Sequence, residues 1–391
     1  MTQRDPIRYN YGKKRQLESV GEKRVNEGMA EVQVQLLSSE KASRWSILAK
    51  AQPERRSAMN SFQRYMAMIE GKPCDILPRA PILMAFAAQY IGSNYGAFAS
   101  DYRVLVEANR RCAQDFGFDQ LSAISDPYRE TTGFGGEVEF IKNGVPRLLT
   151  PPLGDTKDLG VLANPDPETS PRMLDRIRAI REMAANWQKQ YSILGWVEGP
   201  GAEGADLRGV TNFLFDLMDD PGFAHELMER CVEVGVDFAK AQLEAGADTI
   251  GIGDAIVSQV SPRMYEELIF PHQKRLIDEI KQAGGLVRLH ICGDISHLLP
   301  QIKHLDLDIL DLDNPVDMVS AREIFGPDQV LVANLDPVRD VQNGTAPEIE
   351  RKLRGLYEAV GGRFMLGAGC EVPADTPHEN LKALCTAIPF K

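Results

Sequence analysis

Residues 249–294 read TIGIGDAIVSQVSPRMYEELIFPHQKRLIDEIKQAGGLVRLHICGD. Two short β-type runs, Thr249–Ile252 and Leu286–Ile291, bracket a stretch, Pro262–Ala283, whose apolar residues recur at helical spacing. Ser261-Pro262 places a capping hydroxyl before a proline suited to a first helical turn. A strand, a helix and a second strand in succession predict two parallel strands joined by a crossover helix.

The same unit recurs along the chain. Further β-type runs lie at Ala80–Met84, Gln120–Ser125, Ser192–Val197, Asp308–Leu312, Val330–Asn334 and Phe364–Leu366, which with the two above makes eight. Helical patterns fall between most of them, at Gly96–Phe116, Pro171–Gln190, Pro221–Ala245, Ser296–Lys303, Ser320–Phe325 and Pro347–Val360, and Glu379–Ala387 closes the chain. Eight alternating pairs predict an α/β fold of the (β/α)8 TIM-barrel type. Phe134–Leu149 departs from the pattern: it alternates apolar and polar residues around Asn143-Gly144, which predicts an inserted β-hairpin with a two-residue turn. Residues 1–54 read as an N-terminal extension, with Val20–Leu37 a candidate helix, and 55–391 as the barrel.

Composition narrows the function. The 391 residues carry 44 Lys and Arg against 56 Asp and Glu, a formal charge of -12. Residues 1–50 hold ten basic and six acidic side chains, so an arm of +4 precedes a body of -16. An acidic body argues against wrapping nucleic acid, which needs a basic face. No apolar stretch reaches membrane-spanning length, the mean hydropathy is -0.26, and the opening Met-Thr-Gln-Arg-Asp-Pro does not resemble a signal peptide. A cytoplasmic protein with six reduced, scattered cysteines is expected.

Active sites of such barrels lie at the C-terminal ends of the strands, so the polar residues that follow each run are the candidates. They include Asp126, Glu198, Glu203, Asp254, His290, Cys292, Asp311, Asp313, Cys370 and Glu371. In an extended strand His290 and Cys292 project to one face, and Cys370 reaches the same rim from the last strand. Two thiolates and an imidazole suit Zn2+, and three protein ligands leave a position for chemistry. Asp313 or Glu203 could complete the tetrahedron or support a ligand. Asp126 and Asp254 could orient a polar substrate or cap helices. Cys74, Cys112, Cys231 and Cys385 lack such context and read as structural.

These motifs resemble the uroporphyrinogen decarboxylase superfamily, and within it the cobalamin-dependent methyltransferases. The resemblance runs from about Arg55 to Lys391 and is carried by GKPCDILPRAPI at 71–82, SDPY at 125–128, EGPGAEG at 198–204, LHICGD at 289–294, NLDP at 334–337 and LGAGCEVPADTP at 366–377. The decarboxylases use an arginine-rich anchor near the first strand, where this chain has only Arg79 between Pro78 and Gln89. LHICGD and LGAGCE place His290, Cys292 and Cys370 where the methyltransferases carry zinc ligands. Asp313 falls where some relatives have glutamate, and Asp126 where the decarboxylases have their catalytic aspartate.

The resemblance implies methyl transfer between a small thiol or methylated substrate and a corrinoid (cobalamin), free or carried by a partner corrinoid protein; homodimers are common in the family. Two other readings stay open on sequence. One is a metal-independent decarboxylase. The other is a non-enzymatic barrel that delivers a corrinoid or metal, with the basic arm as its docking element.

Overall fold

The computed structural model describes residues 59–391. The candidate helix Val20–Leu37 and the extension boundary at residue 54 lie outside them. Nine strands occur among the described residues: β1 (Gln120–Ser122), β2 (Val138–Glu139), β3 (Arg147–Leu148), β4 (Ser192–Glu198), β5 (Thr249–Gly253), β6 (Leu286–Ile291), β7 (Ile309–Leu312), β8 (Val330–Val332) and β9 (Phe364–Met365). Seven form one parallel sheet in the order β1-β4-β5-β6-β7-β8-β9.

The expected first strand, Ala80–Met84, is corrected. Its place is taken by residues 78–80, which bridge both sheet edges. Leu366 N donates to Pro78 O (2.7 Å), Ala80 N to Leu366 O (2.9 Å), and Asp119 N to Arg79 O (2.8 Å). The curled sheet is thereby joined edge to edge into a barrel. Pro81 has no N–H to continue the ladder, and the chain enters the short helix Ala85–Tyr90 at Met84.

Helices Pro171–Trp187, Pro221–Glu244 and Ala346–Val360 cover the outside, each opening with proline in its first turn. The predicted helix Gly96–Phe116 is two, Tyr95–Ser100 and Tyr102–Phe116, because Asp101 ends one and caps the next. Pro262–Gln282 contains a wide π turn at Tyr265–Ile269. Two further helices, Pro200–Arg208 and Val210–Asp219, lie outside the sequence expectation; the first has no apolar periodicity, whereas the second does and was passed over. The hairpin forms, with Val138 opposite Leu148 and Glu139 opposite Arg147, but its loop spans residues 140–146 rather than two residues. The next pair would set Phe140 against Pro146, and proline cannot donate to the ladder.

Inside the barrel the first layer is polar. Arg288 Nη1 donates to Gln120 Oε1 (2.7 Å), its Nη2 to Ala80 O (3.0 Å) and its Nε to Asp311 Oδ2 (2.8 Å). Above it lies an apolar layer of Ile82, Ile124, Leu194 and Trp196. The Trp196 ring lies against β5 where that strand has no side chains. A Cβ at Gly251 would meet the ring at 2.1 Å, and one at Gly253 would meet it at 3.1 Å. No helix of the described residues is long and apolar enough to cross a membrane.

Candidate active site and metal centre

Inward-facing residues of β6 alternate along the strand, so Arg288 in the polar layer is followed by His290 and then by Cys292 just past the strand end. Cys370 reaches the same rim five residues after β9. His290 Nε2 lies 3.3 Å from Cys292 Sγ and 3.6 Å from Cys370 Sγ, and the two sulfurs are 3.8 Å apart. Their ligand atoms form the one group of three or more potential metal donors among the described residues.

Without a metal, protons arrange this group. Burial opposes a charge on His290, but Asp311 and the Cys370 sulfur outweigh it and hold the imidazole up at about 10. The hydrogen bond from Cys292 draws the Cys370 thiol down to about 4, against the effect of burial and with help from His290. Cys292, donating to that thiolate, is correspondingly raised. A metal would take the place of those protons. The donor set fits Zn2+: two sulfurs and a ring nitrogen converge, while His290 Nδ1 has no hydrogen-bond partner and faces Asp311 Oδ2 at 3.6 Å. Nε2 is therefore the nitrogen presented to a metal, with the Asp311–Arg288 pair behind the ring.

Asp313 stands outside this group. Its Oδ2 accepts from Gly293 N (2.7 Å) and its Oδ1 from Asn314 N (2.6 Å). It fastens the turn after Cys292 rather than presenting a free oxygen to the metal position. Glu203 is also apart, on helix Pro200–Arg208, with Oε2 accepting from Thr131 Oγ1 (3.2 Å) and Oε1 unpartnered. Burial and nearby Glu130 push its carboxyl well up.

Asp254 caps that same helix. Oδ1 accepts from Ala202 N (2.7 Å), and Oδ2 accepts from Gln273 Nε2 (3.0 Å), which the π turn's Tyr265 hydroxyl holds at 2.6 Å. Burial pushes Asp254 up to about 7. For Asp126, burial raises the carboxyl but the fork of Arg172 (2.8 and 2.6 Å) and the Ser125 hydroxyl prevail, bringing it down to about 2.

Asp126, Asp254 and the trio His290, Cys292 and Cys370 border one cavity of about 180 Å3, together with Trp196, Glu198 and Glu371. Sequence reading gave Glu198, Glu371 and Asp311 no role and passed over Trp196, Arg129 and Arg172. Glu198 Oε1 accepts from Arg129 Nη2 (2.6 Å), and Glu371 Oε1 accepts from Ala85 N (2.7 Å). Strand-end position signals the carboxylates; the arginines come from separate helices and carry no local signal. Cys74, Cys112, Cys231 and Cys385 are buried away from the cavity, as expected.

The family model described as uroporphyrinogen decarboxylase (URO-D) matches residues 60–389, the whole of the barrel and its rim. The chain belongs to this family. Methylcobamide:CoM methyltransferase MtbA of Methanosarcina mazei is 27% identical over 330 residues, covering 82% of this chain and 95% of the relative. A uroporphyrinogen decarboxylase of Trichodesmium erythraeum is 24% identical over 328 residues, covering 79% and 91%. Among solved structures, a methyltransferase from Methanosarcina mazei superposes with a TM-score of 0.77 at 21% identity, over 83% of this chain and 97% of that one.

Proposed function

We propose that this protein is a corrinoid-dependent methyltransferase with zinc held by His290, Cys292 and Cys370, moving methyl between a small substrate and a corrinoid on a partner protein. The observation that carries the reading is the convergence of those three donors at the barrel rim, in a chain whose full-length relatives include a methylcobamide methyltransferase. Zinc would supply Lewis acidity to the substrate heteroatom, or hold a thiol as thiolate.

The chain's own residues do the remainder. Asp311, anchored by Arg288, faces His290 Nδ1 at 3.6 Å and its charge favours a proton on that nitrogen, leaving Nε2 toward the sulfurs. Asp313 holds the Gly293 turn that sets the direction of Cys292. Asp126 and Asp254, each saturated by fixed donors, shape the cavity wall, and Trp196 and Met84 keep water from part of it. Glu198 has one oxygen clamped by Arg129 and no hydrogen bond to the other, and so can hold or orient a substrate group. Asp313 and Glu203 are better read as supports than as the fourth zinc ligand, which leaves that position for substrate.

The decarboxylase reading has less support. Arg79, the one arginine of the first-strand region, is bound to Asp119 (2.9 Å) and takes no part in the cavity wall. Metal analysis with a visible-absorption assay of cobalamin, run against methylated and thiol compounds, tests the proposal. About one zinc per chain and a donor- or acceptor-dependent change between methylcobalamin and cob(I)alamin spectra are expected. Full activity in a metal-free, chelator-treated protein would sink it. Deleting residues 1–54 tests the arm: docking on the corrinoid partner should be lost while turnover of free methylcobalamin persists.

A further inference from the structure

The floor of the cavity beside His290, Cys292 and Cys370 is the apolar layer of the barrel. Ile82, Ile124 and Trp196 form it, and Met84 and Pro127 add to the same apolar lining. Beneath this layer lies the Arg288 guanidinium, which is spent on Gln120, Ala80 and Asp311 and does not reach the cavity wall. The Trp196 ring is a fixed part of the floor, since it packs against β5 where a Cβ at Gly251 would meet it at 2.1 Å.

The ionic groups at the cavity are already matched by the protein. Asp126 takes both prongs of Arg172, at 2.8 and 2.6 Å. Glu198 Oε1 accepts from Arg129 Nη2 (2.6 Å), and burial pushes this carboxyl well up, toward its uncharged form. Asp254 is turned to the Ala202 amide and Gln273, and Glu371 to the Ala85 amide. No lysine or arginine borders the cavity. His290 faces Asp311 at 3.6 Å, and the two charges of a bound zinc ion would be matched by the thiolates of Cys292 and Cys370. An ionic head group entering here would lose its hydration and gain no counter-charge.

The volume sets the size of the occupant. At about 180 Å3 the cavity exceeds the roughly 150 Å3 at which an apolar protein cavity takes up benzene, so one six-membered ring with a methylated heteroatom fits. A flat ring gains offset stacking on an indole and contact with a thioether sulfur, and it loses less rotational freedom on entry than a flexible chain of the same volume. Taking the methyltransferase reading of the site as its basis, we infer that the small substrate is an uncharged, single-ring aromatic compound carrying the transferred methyl on a heteroatom, its ring buried against Trp196 and Met84.

Competition binding to the full-length, metal-replete protein tests this, followed by saturation-transfer NMR with methoxybenzene as the reporter. Three rival methyl ethers have the same number of non-hydrogen atoms: 1-methoxyhexane (neutral and flexible), 2-methoxyethanesulfonate (anionic) and 2-methoxyethyl-trimethylammonium (cationic). Methoxybenzene should bind about threefold or more tighter than 1-methoxyhexane and at least about tenfold tighter than either ion. Met84→Lys places an ammonium in the wall, and should raise the affinity for the sulfonate while lowering that for methoxybenzene.

Binding of either ion as tightly as methoxybenzene, a preference for 1-methoxyhexane, or no saturable methoxybenzene binding up to its solubility overturns the inference even where zinc and cobalamin chemistry are intact. The expected binding order in a protein that holds no zinc and moves no methyl to or from cobalamin would overturn the methyltransferase reading and leave an aromatic-binding cavity. Should Met84→Lys fail to fold, the wild-type series decides.

Discussion

Cys292 Sγ lies 3.8 Å from Cys370 Sγ although 78 residues separate them. Nothing local holds them together; β6 and β9 reach one rim because the barrel closes. The pair therefore depends on the third donor and on the closed sheet. Cys292→Ser, Cys370→Ser and His290→Ala should each reduce bound zinc from about one per chain to a small fraction, since two donors do not make a tight site. Emission spectrometry after desalting measures the loss, and circular dichroism should remain that of the wild type.

Asp311 has two duties, which separate on mutation. Asp311→Ala leaves Arg288 buried without its carboxylate, a change that costs about 3–5 kcal/mol by the usual penalty for an orphaned internal charge. Asp311→Asn keeps an oxygen for Arg288 but removes the negative charge facing His290, and should weaken zinc binding about 10- to 100-fold. Urea unfolding reads the first effect and competition with a chromogenic chelator the second. Equal zinc affinity in Asp311→Asn would remove Asp311 from the metal centre.

Asp254 makes stability fall as pH rises. Burial lifts its pKa to about 7 in the folded protein, above the value of about 3.9 expected unfolded. Between those values the folded state binds the extra proton, so stability from this group is full below about pH 4 and lost through about pH 7. Asp254→Asn should flatten that part of the pH–stability curve, measured by urea titrations at fixed steps. An unchanged slope would show that Asp254 does not titrate in this window.

Asp126 has the opposite sign. Arg172 holds its carboxyl down at about 2, so its stabilisation is present above about pH 3.9 and is lost as pH falls through the folded value. Arg172→Ala removes the clamp and leaves a buried carboxylate, which should cost about 3–5 kcal/mol at neutral pH and move acid unfolding to higher pH. Acid titration followed by far-ultraviolet circular dichroism checks both.

Gly251 is fixed by Trp196. An alanine methyl there would enter the ring at 2.1 Å, so Gly251→Ala should displace the indole, lower stability by about 1–3 kcal/mol and shift tryptophan emission. With three tryptophans in the chain, the signal is assigned by repeating the measurement in Trp196→Phe.

The barrel was legible because its signal is repetitive: β-type runs alternate with amphipathic stretches, and proline or acidic caps mark several helix starts. The first strand was misplaced because apolar Ala80–Met84 looks more strand-like than Pro78–Ala80. Backbone partnership, not side-chain apolarity, decides which residues close the sheet. The convergence of His290, Cys292 and Cys370 could be read from strand parity and strand-end position. Asp313 could not be separated from Asp311 that way: the two share parity, but β7 ends at Leu312, so Asp313 turns to the Gly293 amide while Asp311 stays inside beside His290. The pairings of Arg129 with Glu198 and Arg172 with Asp126 span 69 and 46 residues, and no local spacing announces them.

The order in which the donors occur along the chain bears on biosynthesis. His290 and Cys292 leave the ribosome well before Cys370, which follows the last strand. A polypeptide ending before Phe364 possesses two of the three donors and lacks both β9 and Leu366, the backbone partner of residues 78–80. On the zinc reading, such a polypeptide would not hold the metal, and zinc retention would serve as a certificate that the barrel has closed.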